Sequence, residues 1–385
     1  MVRENAARAG FDCIFVPPTI EPSSQLSPET AQGTQADCRY LTQLDHAAVV
    51  LPTAGGMPIV INDRGRGNAW LPDVRSRTRS HDRGSWVEAL VEALREVGVE
   101  RGRIGVSGLK KGQVTHCRAN DGCVIHSSYQ AVLDALPNAT FEDATDVVGY
   151  ARYIKSEEEL ECLRHGCAIA EAGIEELVQT ARPGADAALV YGRVMRRVLE
   201  LGSEYYPAAL TIGPLNAEQI RYVDPPAGLQ LQPMDLIIDE IDGVRGGLVA
   251  QEDQPVLLGR LPEEWNPVVD IQGQVFEAGL EHMKPGTSFG EFIDFVNDFG
   301  QQRGLKTLIL MHGRGAGNDG PLLTPRARGA DIRDVLFQKN TAWVWKPYGM
   351  SADQRLQFAW GGCVVVTDRG GERLFKRPHG MVCVE

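Results

Sequence analysis

The segment RYIKSEEEL at residues 152–160 marks the point where the second part of the fold begins. Ser156 and Glu159 have the spacing of a capping box, in which a serine hydroxyl and a glutamate carboxylate bind the free amides of the first helical turn. Apolar residues recur at helical spacing behind this box as far as the Pro-Gly pair at 183–184. The pattern predicts a long amphipathic helix near the start of a domain that begins at residue 149.

A helix, a Pro-Gly pair and a second helix follow one another twice in this part of the chain. The first pair of helices is predicted on either side of residues 183–184, and the second on either side of residues 285–286. Short apolar runs of strand character accompany them, at residues 208–213, 236–239, 342–345 and 363–367. Helix pairs followed by strands predict an α+β domain over residues 149–385, with an internal duplication.

The first part of the chain, residues 1–148, alternates between strand and helix patterns. Apolar runs that begin at Cys13, Ala47 and Arg103 are typical of strands, and residues 85–99 have apolar positions at helical spacing. This alternation predicts a smaller α/β domain, in which helices flank a mixed sheet.

Composition and charge exclude several classes of protein. A chain of 385 residues is long enough for two cores, and its formal charge of −12 offers no surplus of cations for nucleic acid or anionic lipid. No apolar run approaches the roughly 18 residues of a membrane span. The eight cysteines form no CxxC pair, which is typical of free thiols in a cytoplasm. We therefore expect a cytoplasmic protein that binds neither nucleic acid nor membrane.

These motifs, taken in order, resemble the creatinase, prolidase and aminopeptidase P family of pita-bread proteins. The resemblance is carried by RYIKSEEEL at 152–160, LQPMDLIID at 231–239, MHGRG at 311–315, WVWKPY at 343–348, VVVTDRGG at 364–371 and RYLTQ at 39–43. It implies a pita-bread domain at residues 149–385 and a creatinase-type domain at residues 1–148. It also implies a homodimer in which the N-terminal domain of one subunit borders the site of the other. His46 in that domain would then reach the site of the partner subunit.

The resemblance implies a metal site, and the sequence departs from it. Family metallopeptidases hold two divalent ions with two aspartates eleven residues apart, one histidine and two glutamates. These ligands align with Asp239, Ala250, His312, Lys346 and Gly361. An aspartate and a histidine cannot hold two ions, and a lysine ammonium repels a divalent cation. We therefore expect no metal ion and no other cofactor.

Four side chains are candidates for acid–base catalysis without a metal: His312, Asp239, Glu252 and Lys346. Glu252 matches a glutamate of creatinase, the metal-free family member that hydrolyses a C–N bond. Burial would lower the pKa of Lys346, which suggests a base or an anchor for an anion. The alternative is a structural salt bridge from Lys346 to Asp239 or Glu252.

Further positions are candidates for contact with a small-molecule substrate: Tyr222, Arg221, Arg314, Asp319, Trp360 and His46. Aromatic residues in strands usually belong to the core, and we expect this of two of the three tryptophans Trp343, Trp345 and Trp360.

Together these features predict a metal-independent enzyme that cleaves a C–N or C–C bond in a small organic substrate by acid–base catalysis. Lys346 stands where the family has a carboxylate, and this inversion of charge favours an anionic or aromatic substrate. Hydrolysis, as in creatinase, is the nearest precedent. The alternatives are a lyase reaction (retro-aldol or β-elimination) and a pita-bread binding protein without catalytic activity.

Overall fold

The computed structural model describes residues 1–17, 34–44, 47–62, 65, 67–76, 86–110, 124–204, 208–215, 222–223, 225–325 and 330–385. These residues form two compact units, Met1–Tyr153 with Ala316–Gly320 and Ile154–Gly315 with Pro321–Glu385. The division falls five residues after the predicted boundary at 148, because the helix Thr145–Tyr153 continues across that boundary.

The first unit contains helices and strands in alternation. Its helices are Val2–Arg8 (α1), Thr34–Thr42 (α2), Trp86–Glu96 (α3), His126–Ala135 (α4) and Thr145–Tyr153 (α5). Its strands are Cys13–Val16 (β1), Ala47–Pro52 (β2), Ile59–Asn62 (β3), Val74–Ser76 (β4), Arg103–Val106 (β5) and Thr140–Asp143 (β6).

The sheet of the first unit is mixed and is covered on both faces. Its strand order is β4-β3-β2-β1-β5-β6, with β1 antiparallel to β2 and parallel to β5. Phe15 and Val50 share one core with α3 and α4, whereas Ile14 and Val49 share another with α1, α2 and α5. Neighbouring residues of one strand thus enter opposite cores, as expected for a strand buried on both faces. The predicted α/β architecture is confirmed.

The second unit contains the two predicted pairs of helices. Its helices are Glu157–Thr180 (α6), Ala187–Glu200 (α7), Asn266–His282 (α8), Phe289–Asp298 (α9) and Ala330–Arg333 (α10), with 3₁₀ turns at Glu263–Trp265 and Gln301–Arg303. The predicted capping box of Ser156 and Glu159 begins α6, and a second box of Ser288 and Glu291 begins α9. No helix in the described ranges is both long and apolar enough to cross a membrane.

The strands of the second unit form one large sheet and one small sheet. The strands are Ala209–Pro214 (β7), Tyr222–Val223 (β8), Asp235–Arg245 (β9), Leu248–Asp253 (β10), Val256–Leu257 (β11), Lys306–Leu308 (β12), Met311–Gly313 (β13), Leu322–Leu323 (β14), Ala342–Trp345 (β15), Tyr348–Met350 (β16), Gln357–Ala359 (β17), Gly361–Thr367 (β18), Gly370–Arg373 (β19) and Val382–Cys383 (β20). The large sheet has the order β14-β13-β15-β18-β10-β9-β11-β20, with β7 also paired to β9, and the small sheet is β12-β16-β17.

Helix α6 lies directly on β9 and β10, and this contact distinguishes the two faces of the sheet. A Cβ atom at Gly243 would lie 2.0 Å from the carbonyl oxygen of Gly166, so a side chain has no room there. Ala250, paired with Gly243, also points toward α6. We call this side the helix face. Side chains alternate along a strand, so the opposite side, the site face, carries Ile238, Glu240 and Asp242 of β9 and Gln251 and Asp253 of β10.

Candidate active site

Asp239, predicted to be an inward-facing catalytic carboxylate, lies on the helix face instead. Its side chain is fully buried, and the backbone N–H of Gln254 donates to its Oδ1 at 2.7 Å. Burial raises the pKa of Asp239 well above its ordinary value. The expectation was wrong because a shift of one residue along a strand moves a side chain to the other face of the sheet.

Glu252, the second predicted carboxylate, also lies on the helix face. It pairs across the sheet with Ile241, which packs toward α6, and its side chain is buried. Burial and the nearby Glu171 raise the pKa of Glu252 well above its usual range. The match to creatinase therefore does not bring this group to the site face.

The expected spacing of the family's two aspartates is found one residue further along, at Glu240 and Gln251. These positions are eleven residues apart, and both side chains lie on the site face. The first keeps a carboxylate, whereas the second has become a neutral amide. The family's two aspartates therefore correspond to Glu240 and Gln251 rather than to Asp239 and Ala250, because only the former pair points to the site face.

Lys346 forms the centre of an ion cluster on this face. Its Nζ lies 2.5 Å from Oε1 of Glu240 and 2.8 Å from Oδ2 of Asp253. Burial alone would lower the pKa of Lys346, but the two carboxylates outweigh it and raise the pKa above its ordinary value. Lys346 is therefore a fixed ammonium rather than a base. Its salt bridges join it to Glu240 and Asp253, and not to Asp239 or Glu252 as predicted.

Arg314 adds a second cation to the cluster. Its Nη2 donates to Oε1 of Gln251 at 2.8 Å and lies 3.4 Å from Oδ1 of Asp242. Burial raises the pKa of Asp242 to about 7, although the guanidinium opposes this. The side chain of Arg314 is only 3% exposed, so it is a buried charge rather than a solvated loop residue.

His312 lies on the same side of the sheet as Lys346. Trp343 and Trp345 contact the aromatic core of α8 and α9, so Val344 between them points the other way, as Lys346 does. His312 is the cross-strand partner of Val344, and partners in an antiparallel pair share a face. His312 and Lys346 therefore lie on the same face of the sheet, and the catalytic role of His312 stays a prediction.

Tyr348 is a member of the cluster that the sequence did not reveal. Burial raises the pKa of its phenol, and Lys346, Asp253 and Glu240 act on it electrostatically. The signal was its position two residues after Lys346 in the segment WKPY.

Other predicted residues lie elsewhere. Trp360 is buried against Phe276 at 4.9 Å between ring centroids, so all three strand tryptophans are core and Trp360 is not a substrate contact. Asp319 belongs to the first unit, where it lies 3.5 Å from Arg152 and accepts the amide of Ala316. The backbone of Tyr222 pairs with β7, while Arg221 and His46 lie outside the described residues. The predicted homodimer stays a prediction.

The residues present do not fit the pair of divalent ions that the family implies. The ammonium of Lys346 lies among the carboxyl groups that would have to bind an ion. At Gly361, where the second glutamate would stand, a Cβ atom would lie 1.9 Å from the carbonyl oxygen of Trp345. No cluster of three or more candidate ligands exists within the described ranges.

Gly361→Ala is expected to lower the free energy of unfolding by about 2–4 kcal/mol, because the methyl group would overlap the backbone of β15. Urea denaturation measures this loss. The control is Gly192→Ala on α7, where a Cβ atom meets nothing within 4 Å and should leave the protein as stable or slightly more stable. Equal effects of the two substitutions would contradict the claim that the backbone of β15 leaves no room for a side chain at position 361.

The sheet, the helix pairs and the location of the cluster define a pita-bread protein of the prolidase and aminopeptidase P class. The fold is similar to that of an X-Pro aminopeptidase from Thermotoga maritima, with a TM-score of 0.76, 16% identity, and 100% of this chain and 98% of the other covered. An Xaa-Pro dipeptidase from Bacillus anthracis gives a TM-score of 0.74 at 17% identity, with the same coverage of 100% and 98%. These likenesses confirm the predicted fold.

The sequence profile described as metallopeptidase family M24 matches residues 161–368, which is more than half of the chain. The chain belongs to metallopeptidase family M24. An uncharacterized hydrolase/peptidase (y4tL) of Sinorhizobium fredii is 24% identical over 60% of this chain and 61% of its own length. An ectoine hydrolase of Halomonas elongata is 28% identical over 41% of this chain and 42% of its own length. The matches to these relatives thus span less than two thirds of their lengths.

Proposed function

We propose that this chain is a hydrolase that cleaves a C–N bond of a small organic substrate without a metal ion. The observation that carries the proposal is the position of the Lys346 ammonium, 2.5 Å from Glu240 and 2.8 Å from Asp253. These two carboxylates share a cation that belongs to the chain itself. The names of the relatives, hydrolase/peptidase and ectoine hydrolase, support hydrolysis as the class of reaction.

Lys346 and Arg314 supply fixed positive charge where a metallopeptidase would use its ions. Both side chains are buried, at 8% and 3% exposure. Fixed charge in a site with little water stabilises the negative charge that develops when a carbonyl or amidine carbon is attacked. An ammonium has three N–H donors, so Lys346 can bind a substrate oxygen while it keeps both ion pairs.

His312 and Glu240 carry the proton transfers in this proposal. An imidazole can both accept and donate a proton near neutral pH, which suits His312 to take a proton from the attacking water molecule and pass it to the leaving nitrogen. Glu240 is the most exposed acid of the cluster, and Lys346 outweighs its burial and lowers the pKa of its carboxyl. It is therefore ionised at neutral pH and able to orient an attacking water molecule.

Activity on linear and cyclic amides and amidines should survive treatment with a chelator and should not rise when Mn²⁺ or Co²⁺ is added. We expect His312→Ala to lose at least about a hundredfold in kcat, since general acid–base catalysis commonly contributes that much. Glu142→Gln, which alters an exposed ion pair with Arg103 in the first unit, should leave the rate unchanged. Loss of activity on chelation, restored by a metal ion, would refute the proposal.

The isotope composition of the product separates hydrolysis from its alternatives. In water labelled with oxygen-18, hydrolysis introduces one labelled oxygen at the cleaved carbon, whereas retro-aldol cleavage or β-elimination breaks the bond without it. Product that lacks the label would replace the hydrolase with a lyase. Binding of compounds without turnover of any would favour a binding protein.

A further inference from the structure

The charged groups of the cluster differ sharply in exposure. Glu240 has a side chain that is 42% exposed, whereas Lys346 is 8% and Asp253 is 6% exposed. Arg314 and Asp242 are 3% and 4% exposed. The two cations are therefore shielded from solvent, and the most exposed charge of the cluster is the carboxylate of Glu240.

The cluster also contains more acids than bases. Three carboxyl groups, on Glu240, Asp242 and Asp253, face two cations, on Lys346 and Arg314. The charge in excess when all are ionised is therefore negative. Opposite charges attract most strongly where solvent is partly excluded, so this excess favours a ligand with a positive charge or with N–H donors.

The surface beside Glu240 is partly apolar. Ile238, two residues earlier on the same face of β9, is 44% exposed. Thr211 pairs with Ile238 across β7, and Ala209 pairs with Glu240. Ala209 and Thr211 are both half-buried. An exposed carboxylate next to exposed hydrocarbon suits a ligand with a cationic head and an apolar body.

We propose that the substrate is a small compound in which an amidinium, ammonium or N–H-bearing nitrogen adjoins an apolar group, with the nitrogen held by Glu240 and the apolar group against Ile238. This inference rests on the proposed function and names its substrate class. It reverses the polarity that Lys346 suggested from the sequence, because both carboxylates beside Lys346 already neutralise its charge.

Benzamidinium and benzoate have the same ring and opposite charge, and they test the polarity directly. Isothermal titration should detect binding of benzamidinium, and benzoate should bind at least about tenfold more weakly, because an attraction to the carboxylate of Glu240 is replaced by a repulsion. Glu240→Gln should reduce the affinity for benzamidinium at least about tenfold. The matched control is Glu142→Gln, since Glu142 is also 42% exposed and pairs with Arg103 at 2.7 Å.

A second variant tests the same binding site if Glu240→Gln fails to fold. Ile238→Ala should weaken the binding of benzamidinium but leave that of acetamidinium unchanged, because only the former reaches the apolar surface. Preferential binding of benzoate, or equal loss in the Glu240 and Glu142 variants, would overturn the inference. Chelator-resistant activity alongside such a result would leave the proposed function intact, whereas metal-dependent activity would refute both.

Discussion

Replacement of Lys346 by methionine is expected to lower the free energy of unfolding by about 2–4 kcal/mol at pH 8. Methionine keeps much of the volume of the side chain but removes the charge that lies 2.8 Å from the buried carboxylate of Asp253. An unpaired buried charge is strongly destabilising, and the partial exposure of Glu240 reduces the loss on that side. Denaturation in urea measures the difference.

The pH dependence gives this prediction a signature that simple repacking lacks. The pKa of Asp253 is already raised to about 6 by burial, and loss of the ammonium raises it further. A carboxyl group whose pKa is raised in the folded state stabilises the protein while it is protonated, at pH values below its unfolded pKa. This contribution is lost as the pH rises through the folded-state pKa. The defect should therefore be larger at pH 8 than at pH 5.

Lys339→Met is the matched control for this substitution, because Lys339 is 54% exposed and pairs with Asp368 at the surface. It should change stability little at either pH. Losses of equal size for the two lysines, or a Lys346 defect that does not vary with pH, would contradict the role assigned to the cluster.

The double substitution Gln251→Asp with Lys346→Glu is expected to create a binding site for Mn²⁺. It would surround one position with the carboxylates of residues 240, 251 and 346 and the imidazole of His312, in place of an amide and an ammonium. Oxygen-rich sites with one imidazole suit this ion. The affinity for Mn²⁺ should rise at least about a hundredfold, and Mn²⁺ should raise the melting temperature of the variant alone.

Gln251→Asp by itself is the control, since the ammonium of Lys346 remains between Glu240 and Asp253. This variant should bind no more Mn²⁺ than the native chain. A double variant that folds and still does not bind Mn²⁺ would show that residues other than Gln251 and Lys346 also prevent this site from binding a metal ion.

Much of the fold could be predicted because its signals are local. The capping box of Ser156 and Glu159 and the two Pro-Gly pairs depend on residues a few positions apart, and both helix pairs are present. The second helix of the later pair ends at Asp298, and a 3₁₀ turn follows at Gln301–Arg303.

The candidate site was harder to predict because it depends on which face each side chain takes. Asp239 and Glu240 are adjacent, and both are acidic, so sequence alone could not choose between them. The close contact of Gly243 with Gly166 settles the choice by fixing the helix face. The same shift of one residue explains why Ala250 was chosen in place of Gln251.

Charge pairing across the sheet was also beyond the sequence. Lys346 and Glu240 are 106 residues apart, and Arg314 and Gln251 are 63 apart. Their contacts arise only when β9, β10 and β15 are assembled. The inversion of charge at Lys346 could be seen in the sequence, but the two carboxylates that neutralise it could not.

If Lys346 and Arg314 replace the pair of metal ions used by metallopeptidases of this fold, the native protein should not bind those ions in stoichiometric amounts. The most direct test is to equilibrate the native protein with Mn²⁺ or Co²⁺, remove unbound metal by gel filtration, and measure bound metal by mass spectrometry. We expect far less than one ion per chain for either metal. Stoichiometric binding of one or two ions that is lost on substitution of Glu240 or His312 would contradict it.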